Sequence, residues 1–162
     1  MNSSAIERIR HISIFADLAD DTDRLEKIAN RLSVGEYKAG KAIITEGEDG
    51  DTLHILNAGS VRILRNTLSN EQFALVNLDA NQNVFFGEIA LIDHDKRSAT
   101  VFALTDCETL ILSRKDYLEL CEEDPYIGFK TMFRLALRIG AALRKSNRDM
   151  TTMYQALIDE IS

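Results

Sequence analysis

The residues with the clearest chemical character lie in one stretch, from Phe86 to Val101. Gly87 follows an apolar run that is typical of a strand, and glycine permits backbone angles and close approaches that other residues do not. Residues 88–92 can then form one short helical turn, whose free N–H groups offer an anion site at its start. Arg97 returns ten residues after Gly87, and its planar guanidinium can donate two parallel hydrogen bonds to phosphate oxygens.

Glu88 has the complementary preference. An ionised carboxylate only accepts hydrogen bonds, so it suits a pair of neighbouring hydroxyls such as a ribose edge. A donor for phosphate and an acceptor for hydroxyls at the mouth of one cleft indicate a nucleotide ligand. The competing interpretation is a structural ion pair between Glu88 and Arg97, which would contribute little at a surface.

Hydrophobic periodicity predicts the elements that must position these residues. Residues 4–33 carry apolar side chains at helical spacing, and residues 34–113 change to short runs separated by turn residues. Many short strands at this spacing indicate an antiparallel sandwich or barrel, whose inward-facing side chains fill the interior. The chain becomes helical again from residue 114, with Asp124 and Pro125 expected as the N-cap and the first residue of the last helix.

The last helix carries an apolar seam at heptad spacing. Its apolar members are Phe129, Met132, Ala136, Ile139, Leu143, Met150, Met153 and Leu157. The polar run 144–149 predicts a hinge or a stretch that crosses solvent. An exposed apolar patch of this size is disfavoured, so the first turns are expected to pack on the barrel and the rest to form a homodimer. The alternative is a lid over a bound base, formed by Met150, Met153 and Tyr154.

Composition restricts the location and the partners. The chain has 162 residues, 45% of them hydrophobic and 28% charged, which indicates one folded domain. Its 19 basic and 26 acidic residues give a net charge of −7, whereas nucleic acids and anionic membranes attract clustered Lys and Arg. The sequence shows no signal peptide and no membrane span, and Cys107 and Cys121 suit a reducing compartment. We therefore expect a cytoplasmic protein with no membrane contact, no metal and no cofactor.

The stretch 86–101 resembles the phosphate-binding cassette of cyclic-nucleotide-binding domains, the type found in catabolite activator proteins and in the regulatory subunits of cAMP-dependent kinase. The cassette pattern F-G-E-x-A-L-x…R-x-A-x-V is matched throughout, with the shorter Gly-to-Arg spacing. A second family signature precedes it: Gly40-Lys41-Ala42-Ile43-Ile44, Glu46-Gly47, Gly50-Asp51, Ile55-Leu56 and Gly59-Ser60-Val61. The resemblance extends over essentially the whole chain.

The resemblance implies an α+β fold: an antiparallel eight-stranded β-roll, a double-sheet jelly-roll-like barrel, flanked by N-terminal helices and a long C-terminal helix. It implies a single domain over 1–162, with a helical lead-in at 1–33 and the β-roll at 34–113. The cassette lies at 86–101 within the β-roll, and the C-terminal helices occupy 114–162.

The resemblance also implies the ligand contacts. Arg97 would clamp the cyclic phosphate, and Glu88 would hold the ribose 2′-hydroxyl. The other phosphate-site residues would be Gly87, Ser98 and the backbone N–H groups of Ile89, Ala90 and Ala99. The base pocket would be lined by Ile63, Leu75 and Val76.

Three positions depart from the family pattern. The turn Asn81-Gln82-Asn83 replaces a Gly-Asp pair, and asparagine tolerates the left-handed angles that such a turn requires. Lys96 stands where proline is common and adds positive charge, whereas the cassette tip 93–95 is acidic. None of the three removes a group that the ligand requires.

The implied function is a non-catalytic sensor of cAMP or cGMP, which signals through its C-terminal helix to an effector protein. A hydroxyl after the arginine, here Ser98, occurs in binders of both mononucleotides, so the choice stays open, as does a cyclic dinucleotide. The alternative is that the chain is the sensor domain of a larger transcription factor, kinase or channel. Direct DNA binding is not expected, because no residues for a helix-turn-helix follow Ser162 and no basic face is available.

A remote alternative is a cupin-like metalloenzyme on a similar barrel. Such a centre requires two or three histidines and a carboxylate around one metal. His11, His54 and His94 have no paired spacing, and the sequence offers no nucleophile–base motif. We therefore expect no enzymatic activity.

Overall fold

The computed structural model describes residues 2–69 and 71–161. The chain opens with three short helical segments that lie against the β-domain. They are α1 (Asn2–Arg10), a 3₁₀ helix (Ser13–Leu18) and α2 (Thr22–Ala29). Helix α2 begins after Asp21, whose side chain accepts a hydrogen bond from the Arg24 backbone N–H and satisfies one of the open donors of the first turn.

The described residues then form eight strands in two antiparallel sheets. The strands are β1 (Ser33–Tyr37), β2 (Ala42–Ile44), β3 (Thr52–Ala58), β4 (Ser60–Asn66), β5 (Gln72–Asp79), β6 (Phe85–Phe86), β7 (Thr100–Ala103) and β8 (Cys107–Ser113). One sheet has the order β1-β8-β3-β6, and the other has the order β2-β7-β4-β5. The predicted α+β fold with an eight-stranded double-sheet β-roll is confirmed.

Two hydrophobic clusters hold the cassette from both sides. The first joins the helices to one sheet and includes Ile9, Ile12, Phe15, Leu25, Leu53, Phe85, Leu91 and Leu112. The second fills the roll and includes Ile44, Leu56, Val61, Val84, Phe86, Val101 and Ala103. Successive side chains of a strand point to opposite faces, so Phe85 and Phe86 anchor strand β6 in both clusters at once. The backbone that enters the cassette is therefore fixed.

Helix α3 (Arg114–Glu123) and helix α4 (Pro125–Ile161) complete the chain. The Asp124 carboxylate accepts hydrogen bonds from Arg24 and from Lys27, and it does not cap α4 as the sequence predicted. The reason is that these two cations pull it toward α2. The Asp124 backbone carbonyl accepts from the N–H of Ile127 at 3.0 Å instead.

The buried face of α4 differs from the predicted one. Its buried residues are Ile127, Gly128, Thr131 and Leu135, which pack against α3 and the first 3₁₀ helix. The heptad seam points elsewhere: Phe129, Met132, Leu143, Met150, Met153 and Leu157 are all exposed. The helix also continues without a break through 144–149, and these residues are all exposed, as in a stretch that crosses solvent.

Among the described residues, no helix combines the length and the apolar character needed to cross a bilayer.

Candidate functional site

The cassette begins with two left-handed backbone positions that turn the chain sharply. Asn83 has φ 54° and Gly87 has φ 78°, and both residue types are suited to this region. Between them, strand β6 pairs with β3 through His54↔Phe86 and Ile55↔Phe85. A 3₁₀ helix over Glu88–Leu91 follows directly, which matches the short helical turn that the sequence predicted.

The Arg97 side chain folds inward to the start of this turn. Its Nη1 donates to the Thr52 carbonyl oxygen at 2.9 Å and to the Gly87 carbonyl oxygen at 3.4 Å. Its Nη2 donates to the Thr52 hydroxyl oxygen at 2.9 Å. The guanidinium lies so close to Gly50 that an added Cβ there would be 2.0 Å from Nε. Glycine at position 50 therefore makes room for the arginine.

The charge of Arg97 is only weakly compensated. Burial lowers its pKa, and the nearby charge of Asp51 acts in the opposite direction. Arginine keeps its proton in proteins, so the site holds a half-buried cation. Its hydrogen bonds go to neutral oxygen atoms, and no carboxylate of the described residues forms an ion pair with it. A half-buried cation of this kind favours an anionic ligand.

Glu88 is paired with a residue from the last helix. Its Oε1 accepts from Arg138 Nε at 2.8 Å, and the Glu88 side chain is only 15% exposed. The Arg138 guanidinium lies 4.6 Å from the centre of the Phe85 ring, a distance typical of a cation–π contact. The structure therefore pairs Glu88 with α4, and not with Arg97 as the competing interpretation of the sequence required.

The other predicted phosphate-site residues lie within this turn or just before strand β7. Ile89 is exposed and Ala90 is buried, and the Ala90 N–H donates to the Gly87 carbonyl at 3.2 Å. The turn itself thus uses this N–H, whereas the N–H of Ile89 stands in the first turn, where helices lack internal acceptors. Ser98 is exposed and Ala99 is half-buried, just before β7.

The cassette tip is tied to the loop before β3. Lys96 Nζ lies 2.6 Å from Asp49 Oδ1, and both side chains are largely exposed. This pair neutralises the positive charge that Lys96 was expected to add near the phosphate. Backbone bonds reinforce the connection, since the N–H of Arg97 donates to the Glu48 carbonyl and the N–H of Gly47 donates to the Arg97 carbonyl, each at 2.9 Å.

The predicted base-pocket residues lie on the β4–β5 hairpin. Ile63 pairs with Val76 across the two strands, so their side chains share a face. Leu75 lies at the irregularity next to this pair and lines a groove of about 770 Å³ against α4. The groove also contains all three residues of the alternative lid, Met150, Met153 and Tyr154. They remain exposed, so the groove is open in this structure.

The sequence did not identify three residues as part of the site: Thr52, His54 and Arg138. Thr52 and His54 lie on β3 behind Arg97, where the strand pattern shows a buried run but not its polar contacts. Arg138 is one of several arginines on α4, and only the packing of α4 on the first 3₁₀ helix selects it for Glu88. A basic residue four positions after Arg134 is too common a pattern to identify this contact.

The remaining candidate groups lie apart. His11 follows α1, His54 is inside β3, and His94 contacts Arg114 at the cassette tip. Among residues 2–69 and 71–161, no three histidine, cysteine or carboxylate side chains come together as metal ligands would. Burial raises the pKa of both thiols, Cys107 and Cys121.

Comparison with known proteins gives related sequences of one kind. A family model described as the cyclic nucleotide-binding domain matches residues 34–124. The cyclic AMP receptor protein of Thermus thermophilus is 35% identical over 106 residues, which cover 65% of this chain and 48% of that protein. Human cGMP-dependent protein kinase 2 is 36% identical over 110 residues, which cover 67% of this chain and 14% of the kinase. The chain thus spans half or less of the length of these relatives.

Solved structures agree over a longer part of the chain. The Thermus thermophilus catabolite activator protein superposes with a TM-score of 0.76 at 28% identity, covering 87% of this chain and 62% of that one. The N-terminal domain of a transcriptional regulator from Streptomyces coelicolor A3(2) superposes with a TM-score of 0.74 at 26% identity, covering 88% and 94%. The family-model match, these likenesses and the observed β-roll together show that this chain belongs to the cyclic nucleotide-binding domain family.

Proposed function

We propose that this chain is a non-catalytic sensor of a cyclic mononucleotide. The observation that carries the proposal is Arg97, a half-buried cation held at the start of the cassette turn by neutral oxygens alone. The two N–H groups that it does not use can donate to two phosphate oxygens in parallel. The negative charge of a cyclic phosphate would compensate the buried charge.

The rest of the ligand follows from this anchor. The ribose 2′-hydroxyl would donate to the Glu88 carboxylate, whose second oxygen is not used by Arg138. The base would lie against Ile63, Leu75 and Val76 on the β4–β5 hairpin. Relatives named for cyclic AMP and for cyclic GMP both match, so we propose either mononucleotide as the ligand.

The signal would leave through α4. Glu88 bonds Arg138 in the structure, and Glu88 is also the proposed ribose contact. A ligand can shift an equilibrium between two states only by binding them with different affinities. A ribose hydroxyl on Glu88 changes the charge and geometry available to Arg138, and so it changes how firmly the middle of α4 is held.

The C-terminal part of α4 would meet a second copy of the chain. Its exposed apolar seam runs from Phe129 to Leu157 over about four heptads, and seams of this kind pair in coiled coils. We therefore propose a homodimer through α4, together with an effector protein of unknown identity. In a longer protein, this chain would serve as the sensor domain.

Titration calorimetry on the purified protein tests the ligand. We expect saturable binding of cAMP or cGMP at one site per chain, weaker binding of the ring-opened 5′-monophosphate, and binding weakened about a hundredfold or more in the variant Arg97→Ala. Recovery of unchanged nucleotide after incubation checks that the protein is not catalytic. Tight binding of a cyclic dinucleotide alone would contradict the mononucleotide, and a variant that binds as tightly as the original chain would contradict the role of Arg97.

A further inference from the structure

A histidine is buried directly behind Arg97. His54 on β3 is only 5% exposed and stacks on Phe86, with ring centres 5.5 Å apart and an angle of 5° between the planes. Its Nε2 lies 3.0 Å from the Thr52 hydroxyl, and its Nδ1 lies 3.3 Å from the Thr109 hydroxyl. Burial of an imidazole is costly unless its nitrogens are hydrogen-bonded, and here both are.

Chemistry assigns one donor in this network and leaves two arrangements for the histidine. A guanidinium has no acceptor, so the Thr52 hydroxyl oxygen must accept from Arg97 Nη2. The same oxygen has a second lone pair, so the Thr52 hydroxyl can either donate to the imidazole Nε2 or accept from it. In the arrangement that orients the Thr52 hydroxyl, Nε2 lacks a proton, and Nδ1 carries one and donates it to Thr109. Burial and the charge of Arg97 lower the pKa of His54 to about 4, which keeps the ring neutral at physiological pH.

Two oxygen atoms of Thr52 bond the two terminal nitrogens of the Arg97 guanidinium. The Thr52 carbonyl oxygen accepts a hydrogen bond from Nη1, and the Thr52 hydroxyl oxygen accepts one from Nη2, each at 2.9 Å. The Gly87 carbonyl takes the other Nη1 hydrogen. Three of the five guanidinium N–H groups are thus bonded to the protein. The two others are Nε–H and one Nη2–H, an adjacent pair with no acceptor among residues 2–69 and 71–161.

We infer that Thr52 and His54 are positioning residues for the phosphate-binding arginine. The neutral imidazole fixes the direction of the Thr52 hydroxyl, and Thr52 fixes the guanidinium so that its Nε–H and one Nη2–H stay available to the ligand. This inference rests on the proposed function for the identity of the ligand. The order that it predicts in Arg97 exists before any ligand binds, and it can be measured without one.

The first test uses nuclear magnetic resonance on the ligand-free protein. The imidazole nitrogens of His54 should show a protonated Nδ1 and an unprotonated Nε2. Relaxation at Arg97 Nε should show an ordered group, which becomes flexible in Thr52→Val and stays ordered in Thr52→Ser. His54→Phe keeps the stacking on Phe86 and should loosen Arg97 to a smaller extent. The control is Thr131→Val, because Thr131 is a buried threonine whose hydroxyl is bonded to Tyr117 and Ile127, away from the cassette.

The opposite tautomer, or an Arg97 that stays ordered in Thr52→Val, would overturn the inference. If Thr52→Val does not fold, the inference can still be contradicted, because Thr52→Ser and His54→Phe report on the same network.

The second test measures cAMP binding by calorimetry. Loss of one charge-assisted hydrogen bond should weaken binding about tenfold in Thr52→Val, whereas Thr52→Ser should stay within about twofold of the original chain. In an Arg97→Ala background, Thr52→Val should have no further effect, since the two residues act as a unit. If the chain binds no cyclic nucleotide while the resonance results hold, the proposed function fails and the positioning of Arg97 stands. If Thr52→Val loosens Arg97 but binds cAMP normally, the role in phosphate recognition is overturned.

Discussion

At the scale of single residues, Arg97 combines a cost in stability with a gain in binding. The half-buried charge is desolvated and has no carboxylate partner among the described residues, which opposes folding. Arg97→Ala should therefore leave the melting temperature unchanged or raise it, while cAMP affinity falls about a hundredfold or more through loss of a bidentate contact. Arg97→Lys should lose at least tenfold, because an ammonium cannot reproduce the fork. Calorimetry measures the affinity, and thermal unfolding of the same samples measures the melting temperature. A variant that unfolds and also loses binding would contradict the prediction that Arg97 serves binding and not stability.

Glu88 should contribute less to binding than Arg97, because it contacts one hydroxyl and not the charged group. Glu88→Gln should weaken cAMP binding about threefold to tenfold, in the range of a single hydrogen bond to a charged group. The matched ligand is 2′-deoxy-cAMP, which should lose little further affinity on this variant, since both changes remove the same contact. Titration of cAMP and 2′-deoxy-cAMP into the original chain and into Glu88→Gln gives the four affinities of a thermodynamic cycle. Full additivity of the two losses would show that Glu88 does not contact the ribose.

His54 gives the stability a pH dependence in a defined window. Its pKa is about 4 in the folded protein and about 6.5 when unperturbed, so between these values the unfolded chain binds more protons. Stability should therefore be full above pH 6.5 and fall as the pH drops toward 4, by about 3 kcal/mol. Denaturant unfolding at several pH values measures this. His54→Phe should remove the pH dependence of the unfolding free energy in that window. An equal pH dependence in the variant would show that other groups cause it.

At the scale of elements, the sequence predicted the parts that local chemistry determines. The cassette turn depends on Gly87 and on the 3₁₀ segment after it, and both follow from residue type and spacing. Strand β1 shows no clear apolar run in the sequence, because it is short, contains Gly35 and exposes Val34. The contact between Glu88 and Arg138 joins residues 50 positions apart. Only the packing of α4 creates it, and no local pattern encodes it.

The link between the cassette and α4 can be tested with a matched pair of arginines on one helix. Arg138 bonds Glu88, whereas Arg134, one turn earlier, bonds Asp17 in the first 3₁₀ helix. The chain has no tryptophan, so Tyr154→Trp provides a single fluorescent probe near the end of α4. We expect cAMP to change the emission of this probe in the chain that keeps both arginines and in Arg134→Ala. In Arg138→Ala, cAMP should still bind but the emission change should be largely lost.

An emission change that survives in Arg138→Ala would contradict transmission through this ion pair. Calorimetry on the same variants separates this outcome from a simple loss of binding. Loss of the emission change in Arg134→Ala as well would show that the general anchoring of α4, and not the contact with Glu88, carries the response.

At the scale of the whole molecule, the far part of α4 forms an exposed apolar surface. The β-domain, α3 and the first 3₁₀ helix cover only one face of its first turns, through residues such as Ile127 and Leu135. Beyond residue 143 every residue up to 161 is exposed, including Met150 and Leu157. An isolated helix gains little stability from its own hydrogen bonds in water. We therefore expect another surface to cover the exposed apolar seam on both sides of the polar run 144–149.

Removal of residues 148–162 distinguishes between two ways of covering this seam, by a second copy of the chain or by the base-binding groove. If α4 pairs with a second copy, sedimentation should shift from dimer toward monomer, because the truncation deletes Met150, Met153 and Leu157 from the seam, while cAMP affinity changes less than about twofold. If α4 closes over the base instead, the groove against Leu75 loses its other wall, and affinity should fall several-fold with no change in mass. We expect the first result, because the seam extends along α4 from the groove residues Met150, Met153 and Leu157 back to Phe129, which does not line the groove. The control is Leu75→Ala, which alters the groove and leaves the seam intact: it should change the affinity and not the mass. A truncated chain that keeps both its mass and its affinity would contradict pairing and closure alike, and it would assign the last turns of α4 to the effector.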